Sequence, residues 1–144
     1  IDLSDITDHY ISINDIDKHK FDIIDKDLIL LRTGFERFRN EKKYMFDNPI
    51  VKAEVFYYLR ENFPAVKAIG VDTISISGYN DREAGRAAHR AALCVNPRIL
   101  LIEDMKLNAL STKTKLLTVF AAPIFIENMD AAPATVFAEV EINE

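Results

Sequence analysis

Short apolar runs bounded by charged or turn-forming residues predict the strands of this chain. The clearest is Leu28–Leu31, a continuous apolar run between Asp27 and Arg32, which is typical of a strand covered on both faces. The other predicted strands are residues 1–4, 66–72, 98–102, 116–126, as one long strand or two broken ones, and 135–142. The last of these alternates apolar and polar side chains at its end, as a strand with one face in water does.

Two further segments have the features of helices. Asn48 and Pro49 suit a helix start, because an asparagine side chain accepts hydrogen bonds from free backbone amides and proline fits the first turn. Pro64 is expected to stop that helix. Asp81 is expected to cap a second helix, which carries His89. Strands and helices alternate up to residue 102 and strands alone follow, so the pattern predicts an α/β domain with a mixed sheet.

Composition limits the class of protein. The 144 residues suffice for one domain with its own core, and 49% hydrophobic with 28% charged residues is ordinary for a globular protein. A net charge of −5 argues against nucleic acid and anionic membranes as partners. No apolar run approaches the roughly 20 residues of a membrane span. The single cysteine, Cys94, excludes an internal disulfide and fits a reducing cytoplasm.

His89 and Glu103 are the main candidates for chemistry. His89 lies in the predicted helix, and Glu103 directly follows the predicted strand at residues 98–102. A charge at the end of a buried strand is costly unless it is paired or bound to a metal. A neutral imidazole and a carboxylate are natural ligands of a divalent cation, so we predict that these two residues share a metal ion. The alternative is a packed histidine bonded to a carbonyl, with Glu103 only marking the exit of the strand to solvent.

Asp72 and Ser75 are expected near the same place. Asp72 and Glu103 both lie at the carboxyl ends of predicted strands, and in open α/β sheets ligands bind at that edge. Ser75 follows Asp72 closely and is expected to face the same side. Two carboxylates and one imidazole are too few for a closed structural zinc site, so the other ligands of an open site must come from elsewhere. A turn-capping role for Asp72 is the alternative.

Five blocks of the sequence, in order, resemble a known family, the cyclase-like metal-dependent hydrolases, which include bacterial kynurenine formamidase and isatin hydrolase. Arg32-Thr33-Gly34-Phe35 is similar to the family's Arg-Thr-Gly-Trp, with Phe35 in place of tryptophan. The other blocks are residues 68–75, His89-Arg90 with Leu93, residues 102–110, and Pro123 with the turn at residues 130–133.

The resemblance implies a swivelling β/β/α fold that holds one or two divalent metals, zinc or manganese. It implies that His89 and Glu103 are ligands at the second metal position, and that Phe35, Asp72 and Ser75 belong to the substrate pocket or to the groups around the ligands. A metal of this kind lowers the pKa of a bound water and polarises a carbonyl. The implied activity is hydrolysis of an amide, formamide or lactone bond in a small-molecule substrate.

The sequence departs from the family in one large feature. The family's His-x-Gly-Thr-His-x-Asp-x-Pro motif, which supplies most metal ligands and the catalytic histidine, is absent from this chain. We therefore expect residues 1–144 to be a single cyclase-like domain that is incomplete at its N-terminus. The alternative is a catalytically inactive relative that serves as a small-molecule binding or assembly module. Aromatic residues expected to be exposed, Phe38, Tyr44 and Phe46, predict a homo-oligomer that completes the site from a neighbouring chain.

Overall fold

The computed structural model describes residues 1–110 and 114–142. The chain divides into two compact units, Ile1–Asn108 and Ala109–Glu144. The prediction of a single domain over residues 1–144 stays a prediction. In the first unit the elements are, in chain order, β1 (Tyr10–Ile11), α1 (Ile13–Asp17), α2 (Lys20–Ile23), β2 (Leu28–Leu31), a 3₁₀ helix (Phe35–Phe38), α3 (Lys42–Phe46), β3 (Ile50–Val51), α4 (Ala53–Asn62), β4 (Ala68–Val71), α5 (Arg82–Leu93) and β5 (Leu100–Ile102).

A parallel three-stranded sheet forms the centre of this unit, in the order β2-β4-β5. Ile29 pairs with Ile69, which pairs with Leu101 in turn. The apolar side chains of β2 and β4 alternate into a core that is closed by α4 and α5, which pack against each other. Burial of such side chains stabilises the fold by about 1.5–3 kcal/mol each. The predicted α/β class is confirmed, and both parallel and antiparallel pairing occur.

The predicted helix start at Asn48 and Pro49 is wrong. Ile50 and Val51, which are almost fully buried, form β3 and pair in parallel with β1. The helix begins only at Ala53 and ends at Asn62, just before Pro64 as expected. Burying two large apolar side chains in a strand pair outweighs the local preference of the Asn-Pro pair for a helix N-terminus.

Two predicted strands differ from the structure in detail. The strand expected at residues 98–102 is shorter, and it is not fully buried, since Leu100 is 59% exposed. Among the described residues it pairs with β4 alone, and so it forms an edge of the sheet. Residues 1–4 make a single bridge, Asp2 to Arg32, rather than a strand.

The Asp2–Arg32 ion pair gives a pH-dependent prediction. Burial tends to raise the pKa of Asp2, but hydrogen bonds from Ser4 and the Arg32 guanidinium outweigh it and lower the pKa to about 2. Because this pKa lies below the ordinary value of 3.8, the stabilisation is present above that value and is lost as the pH falls through about 2. We expect carboxyl NMR titration to show this depressed pKa, and Arg32→Gln to raise it. Lys26→Gln is the control, and an Asp2 that titrates alike in both variants contradicts the prediction.

The second unit is an antiparallel pair of long strands, β6 (Thr114–Pro123) and β7 (Ala134–Ile142). Phe120 and Phe137 face each other in the register, with their rings stacked at 5.0 Å between centroids. The prediction that the final strand has one face in water and the other against a core is wrong, because most described side chains of β7 are exposed. Large apolar residues of the unit that are at least 42% exposed are Leu117, Phe120, Ile124, Phe125, Ile126, Met129, Phe137 and Val140.

Among the described residues, no helix combines the length and the apolar content that crossing a membrane requires.

Candidate functional site

The candidate site lies where β4 and β5 end side by side. Gly70 of β4 pairs with Ile102 of β5, so the residues that follow both strands leave the sheet at the same edge. Glu103 contacts the loop that follows β4 and contains residues 75–77, which we call the Ser75–Ser77 loop. Its Oε1 accepts hydrogen bonds from Ser75 Oγ and from the backbone N–H of Ile76, both at 2.8 Å. The structure therefore brings Glu103 and Ser75 together, as the edge argument predicts.

Asn48 holds the same loop from the other side. Its side chain is fully buried, and Nδ2 donates to the carbonyl oxygens of Ser75 at 3.1 Å and Ser77 at 2.8 Å. The two serine hydroxyls are also hydrogen-bonded to each other at 2.9 Å. Sequence reasoning missed this role, because Asn48 followed by Pro49 has the local signature of a helix cap.

His89 is brought to the loop by α5. Asp81 caps the helix by accepting from the backbone N–H of Ala84 at 3.0 Å, which confirms the predicted cap. Gly85 lies against Ser77 so closely that a Cβ on it would be 2.4 Å from Ser77 Cβ. One turn further on, His89 Nδ1 lies 3.0 Å from the Gly85 carbonyl oxygen. A carbonyl only accepts, so Nδ1 carries the hydrogen, and Nε2 of the neutral ring has a free lone pair.

His89 and Glu103 meet directly. Nε2 is 3.4 Å from Glu103 Oε1, and both side chains are about one-third exposed. The hydrogen bond to Glu103 raises the pKa of His89 against the opposing effect of burial. Burial tends to raise the pKa of Glu103, but hydrogen bonds from His89, Ile76 and Ser75 prevail and lower it. When His89 is protonated, Nε2 donates to Glu103 and the two groups form an ion pair; in the neutral ring the lone pair of Nε2 faces the carboxylate.

The distance between His89 and Glu103 also suits two ligands of one cation, although two ligands do not complete a metal site. Two atoms bound to one tetrahedral zinc ion at about 2.0–2.2 Å lie roughly 3.3–3.6 Å apart, and His89 Nε2 and Glu103 Oε1 are 3.4 Å apart. Histidine ligands usually donate their other ring N–H to an acceptor, as Nδ1 does to Gly85. Within residues 1–110 and 114–142, however, no group of three or more His, Cys, Asp or Glu side chains has metal-binding geometry. The pair could supply two ligands, and the metal site stays a prediction.

The three predicted pocket residues occupy different places. Ser75 lines a cavity of about 550 Å³ together with His89. Phe35 lines a separate cavity of about 240 Å³. Asp72 is fully buried and lines neither of these cavities. Its carboxylate accepts hydrogen bonds from the backbone N–H of Thr33 at 2.8 Å and from that of Gly34 at 2.7 Å. Their assignment to a substrate pocket stays a prediction.

Comparison with known families gives a match over the part of the chain that contains this loop. Residues 1–77 match the family model Cyclase, described as "Putative cyclase", which is more than half of the 144 residues. The chain belongs to the cyclase family. Members of this family are commonly metal-dependent. Comparisons with characterised proteins and with solved structures find no match for the chain.

The cyclase match includes Asp72 and the Ser75–Ser77 loop, whereas His89 and Glu103 follow it along the chain. The larger of the two cavities in this cyclase-family chain also has a feature that sequence reasoning missed. Three arginines of α5 line it, at positions 82, 86 and 90. Their spacing of four residues was the available signal, since such residues share one helix face.

Proposed function

We propose that this cyclase-family chain forms part of a metal-dependent hydrolase centre that acts on an amide, formamide or lactone bond. The observation that carries the proposal is the 3.4 Å approach of His89 Nε2 to Glu103 Oε1, with the histidine tautomer fixed by Gly85. His89 and Glu103 are the residues that would hold a divalent cation, zinc or manganese. When bound, such an ion supplies Lewis acidity for activating water and polarising a carbonyl.

The surrounding residues orient the two ligands. The Gly85 carbonyl keeps the Nδ1 hydrogen in place, so Nε2 is presented toward Glu103. Ser75 Oγ and the Ile76 N–H fix the Glu103 carboxylate through the same oxygen, Oε1. Groups that hold a ligand in this way typically change metal affinity by 10–100-fold when they are removed. The remaining ligands are proposed to come from a segment that precedes Ile1 or from a second subunit.

The test uses the complete native gene product. We expect one or two equivalents of zinc or manganese by elemental analysis after loading and dialysis, and hydrolysis of formanilide or of a simple lactone by the loaded protein only. Absence of metal at any loading would overturn the hydrolase proposal. It would favour the alternative, a catalytically inactive relative that binds a small molecule, since protonated His89 can pair with Glu103 without any metal.

Cytoplasmic localisation is also proposed. Cys94 is a free and exposed thiol. An exposed thiol is better preserved in a reducing compartment.

A homo-oligomer is proposed on a different basis from the sequence argument. That argument used Phe38, Tyr44 and Phe46, but Tyr44 is buried and the two phenylalanines are half-buried. Large exposed apolar side chains are instead concentrated in the unit that contains β6 and β7. A lone two-stranded sheet is at best marginally stable in water, so these side chains favour burial against a second copy.

This proposal predicts the effect of changing Phe125, which is 97% exposed. We expect the wild-type chain to run as a dimer or larger species in size-exclusion chromatography with light scattering. Phe125→Ser is expected to shift the population toward monomer, because it removes apolar surface that the proposed partner buries. Phe21→Ser is the matched control, since Phe21 is 79% exposed in the other unit. A monomeric wild type, or equal effects of both variants, would refute the proposal.

A further inference from the structure

A row of three arginines lies in the wall of the larger cavity. Arg82, Arg86 and Arg90 follow each other at intervals of four residues on α5, and all three line the cavity of about 550 Å³. Residues at this spacing lie on one helix face, and the row extends for roughly 12 Å along the axis. His89 lines the same cavity.

The positive charge of this row is not neutralised within the described residues. None of the ion pairs found there includes Arg82, Arg86 or Arg90; the guanidinium of Arg82 lies over the Tyr79 ring at 4.6 Å from its centroid. This is notable in a chain with 23 acidic and 18 basic residues. The row is therefore available to an anion from outside the chain.

Asp81 and Glu103, two carboxylates near this row, are already engaged, and Glu83 lies outside the cavity. Asp81 accepts from the backbone N–H of Ala84 and from the Tyr10 hydroxyl at 2.7 Å. Glu103 accepts from Ser75 and Ile76 and faces His89. Glu83 lies on α5 itself but does not line the cavity. The carboxylates of the protein itself therefore compete little with an external anion for these three arginines.

The chemistry of the cavity defines a class of ligand. Guanidinium groups recognise carboxylates through paired, charge-assisted hydrogen bonds. Met45, Ile74 and Tyr79 add an apolar surface to the same wall, and a volume of about 550 Å³ is in the range of small-molecule sites. We propose that this cavity binds a small organic anion, with its carboxylate on the arginine row and its apolar or aromatic body against Met45 and Tyr79.

The inference rests on the proposed function for one point, that the anion is the substrate. Arg86 and Arg90 flank His89 on α5, so an anion held by the arginines places the rest of the molecule beside His89, whose Nε2 in turn approaches Glu103. The arginines are then positioning residues that select a substrate carrying a negative charge away from the bond to be cleaved.

Binding is tested on the complete, metal-free protein by NMR of the arginine side chains and the α5 amides. Benzoate is expected to produce saturable shifts at α5, whereas benzamide, its neutral analogue, binds at least about tenfold more weakly. Arg86→Gln is expected to weaken benzoate binding roughly tenfold, because one charge-assisted contact is lost. Arg98→Gln is the matched control, since Arg98 is exposed and lies outside the cavity wall.

Three results would overturn the inference: equal binding of benzoate and benzamide, equal effects of the two arginine variants, or inorganic phosphate binding as tightly as benzoate. Phosphate binding of that strength would show that the arginines bind any anion and that the apolar residues of the cavity contribute nothing to recognition. Hydrolysis is measured separately with formanilide and 4-formamidobenzoate. Benzoate binding without any metal or turnover supports the anion site and refutes the hydrolase function, and with it the role of the anion as substrate. Turnover without preference for the charged substrate supports the hydrolase function and refutes the arginines as residues that select the substrate.

Discussion

Glu103→Gln is expected to lower the affinity of the protein for zinc or manganese by at least about 100-fold. The substitution removes the negative charge that a divalent cation requires, while the amide oxygen can still accept from Ser75 and from the Ile76 N–H. The loop should therefore keep its position, and the loss should fall on metal binding rather than on folding. Equilibrium dialysis with elemental analysis measures the affinity, and thermal denaturation checks the fold.

Two controls separate the proposed ligands from general charge effects. Glu83→Gln removes an equivalent charge from exposed α5 surface and is expected to leave metal affinity unchanged. His89→Ala should reproduce the loss caused by Glu103→Gln, whereas His19→Ala should not, since His19 lies beside Asp22 on another part of the chain. Glu103→Gln protein that binds metal like the wild type would refute the assignment of Glu103 as a ligand.

Asp72→Asn is expected to lower the free energy of unfolding by about 2–4 kcal/mol. Asp72 Oδ1 accepts from the backbone N–H and the hydroxyl of Thr33, and Oδ2 accepts from the Gly34 N–H, all within 2.8 Å. An asparagine at this fully buried position must direct an NH₂ group at one of these donors, whichever way its amide is turned. A buried donor then faces another donor and both lose their partners.

Urea denaturation followed by circular dichroism measures this change. Asp5→Asn is the control, because Asp5 is exposed and the same chemical change there should alter stability by no more than about 0.5 kcal/mol. An Asp72→Asn protein as stable as this control would contradict the structural role assigned to the carboxylate. The test also bears on the pocket prediction, since a residue that acts only on a substrate would not change unfolding.

The sequence was sufficient for the parts of the site that depend on strand order. Asp72 and Glu103 could be placed at one sheet edge because uninterrupted apolar runs mark buried parallel strands, whose carboxyl ends coincide. His89 could be placed above them because Asp81 gives a clear helix start. The metal itself could not be derived, since described residues supply only two potential ligands with suitable geometry.

Other features depend on tertiary contacts that local patterns do not reveal. Asn48 has a strong local preference for a cap, yet burial of Ile50 and Val51 decides the conformation there. The arginine row is indistinguishable from an ordinary solvated helix face until the cavity beside it is known. The alternation in the final strand predicts a core on one side, but the strand finds no such cover among the residues of its own unit.

The contact between Gly85 and Ser77 has a consequence for molecular recognition. Because there is no room for even a methyl group between Gly85 and Ser77, α5 cannot move toward the Ser75–Ser77 loop without steric overlap. The helix that carries His89 and the arginines is thereby kept at a fixed spacing from the loop. The organic anion proposed above therefore meets His89 and the arginines at a spacing that the Gly85–Ser77 contact already sets, which favours ligands whose outline and charge match that spacing.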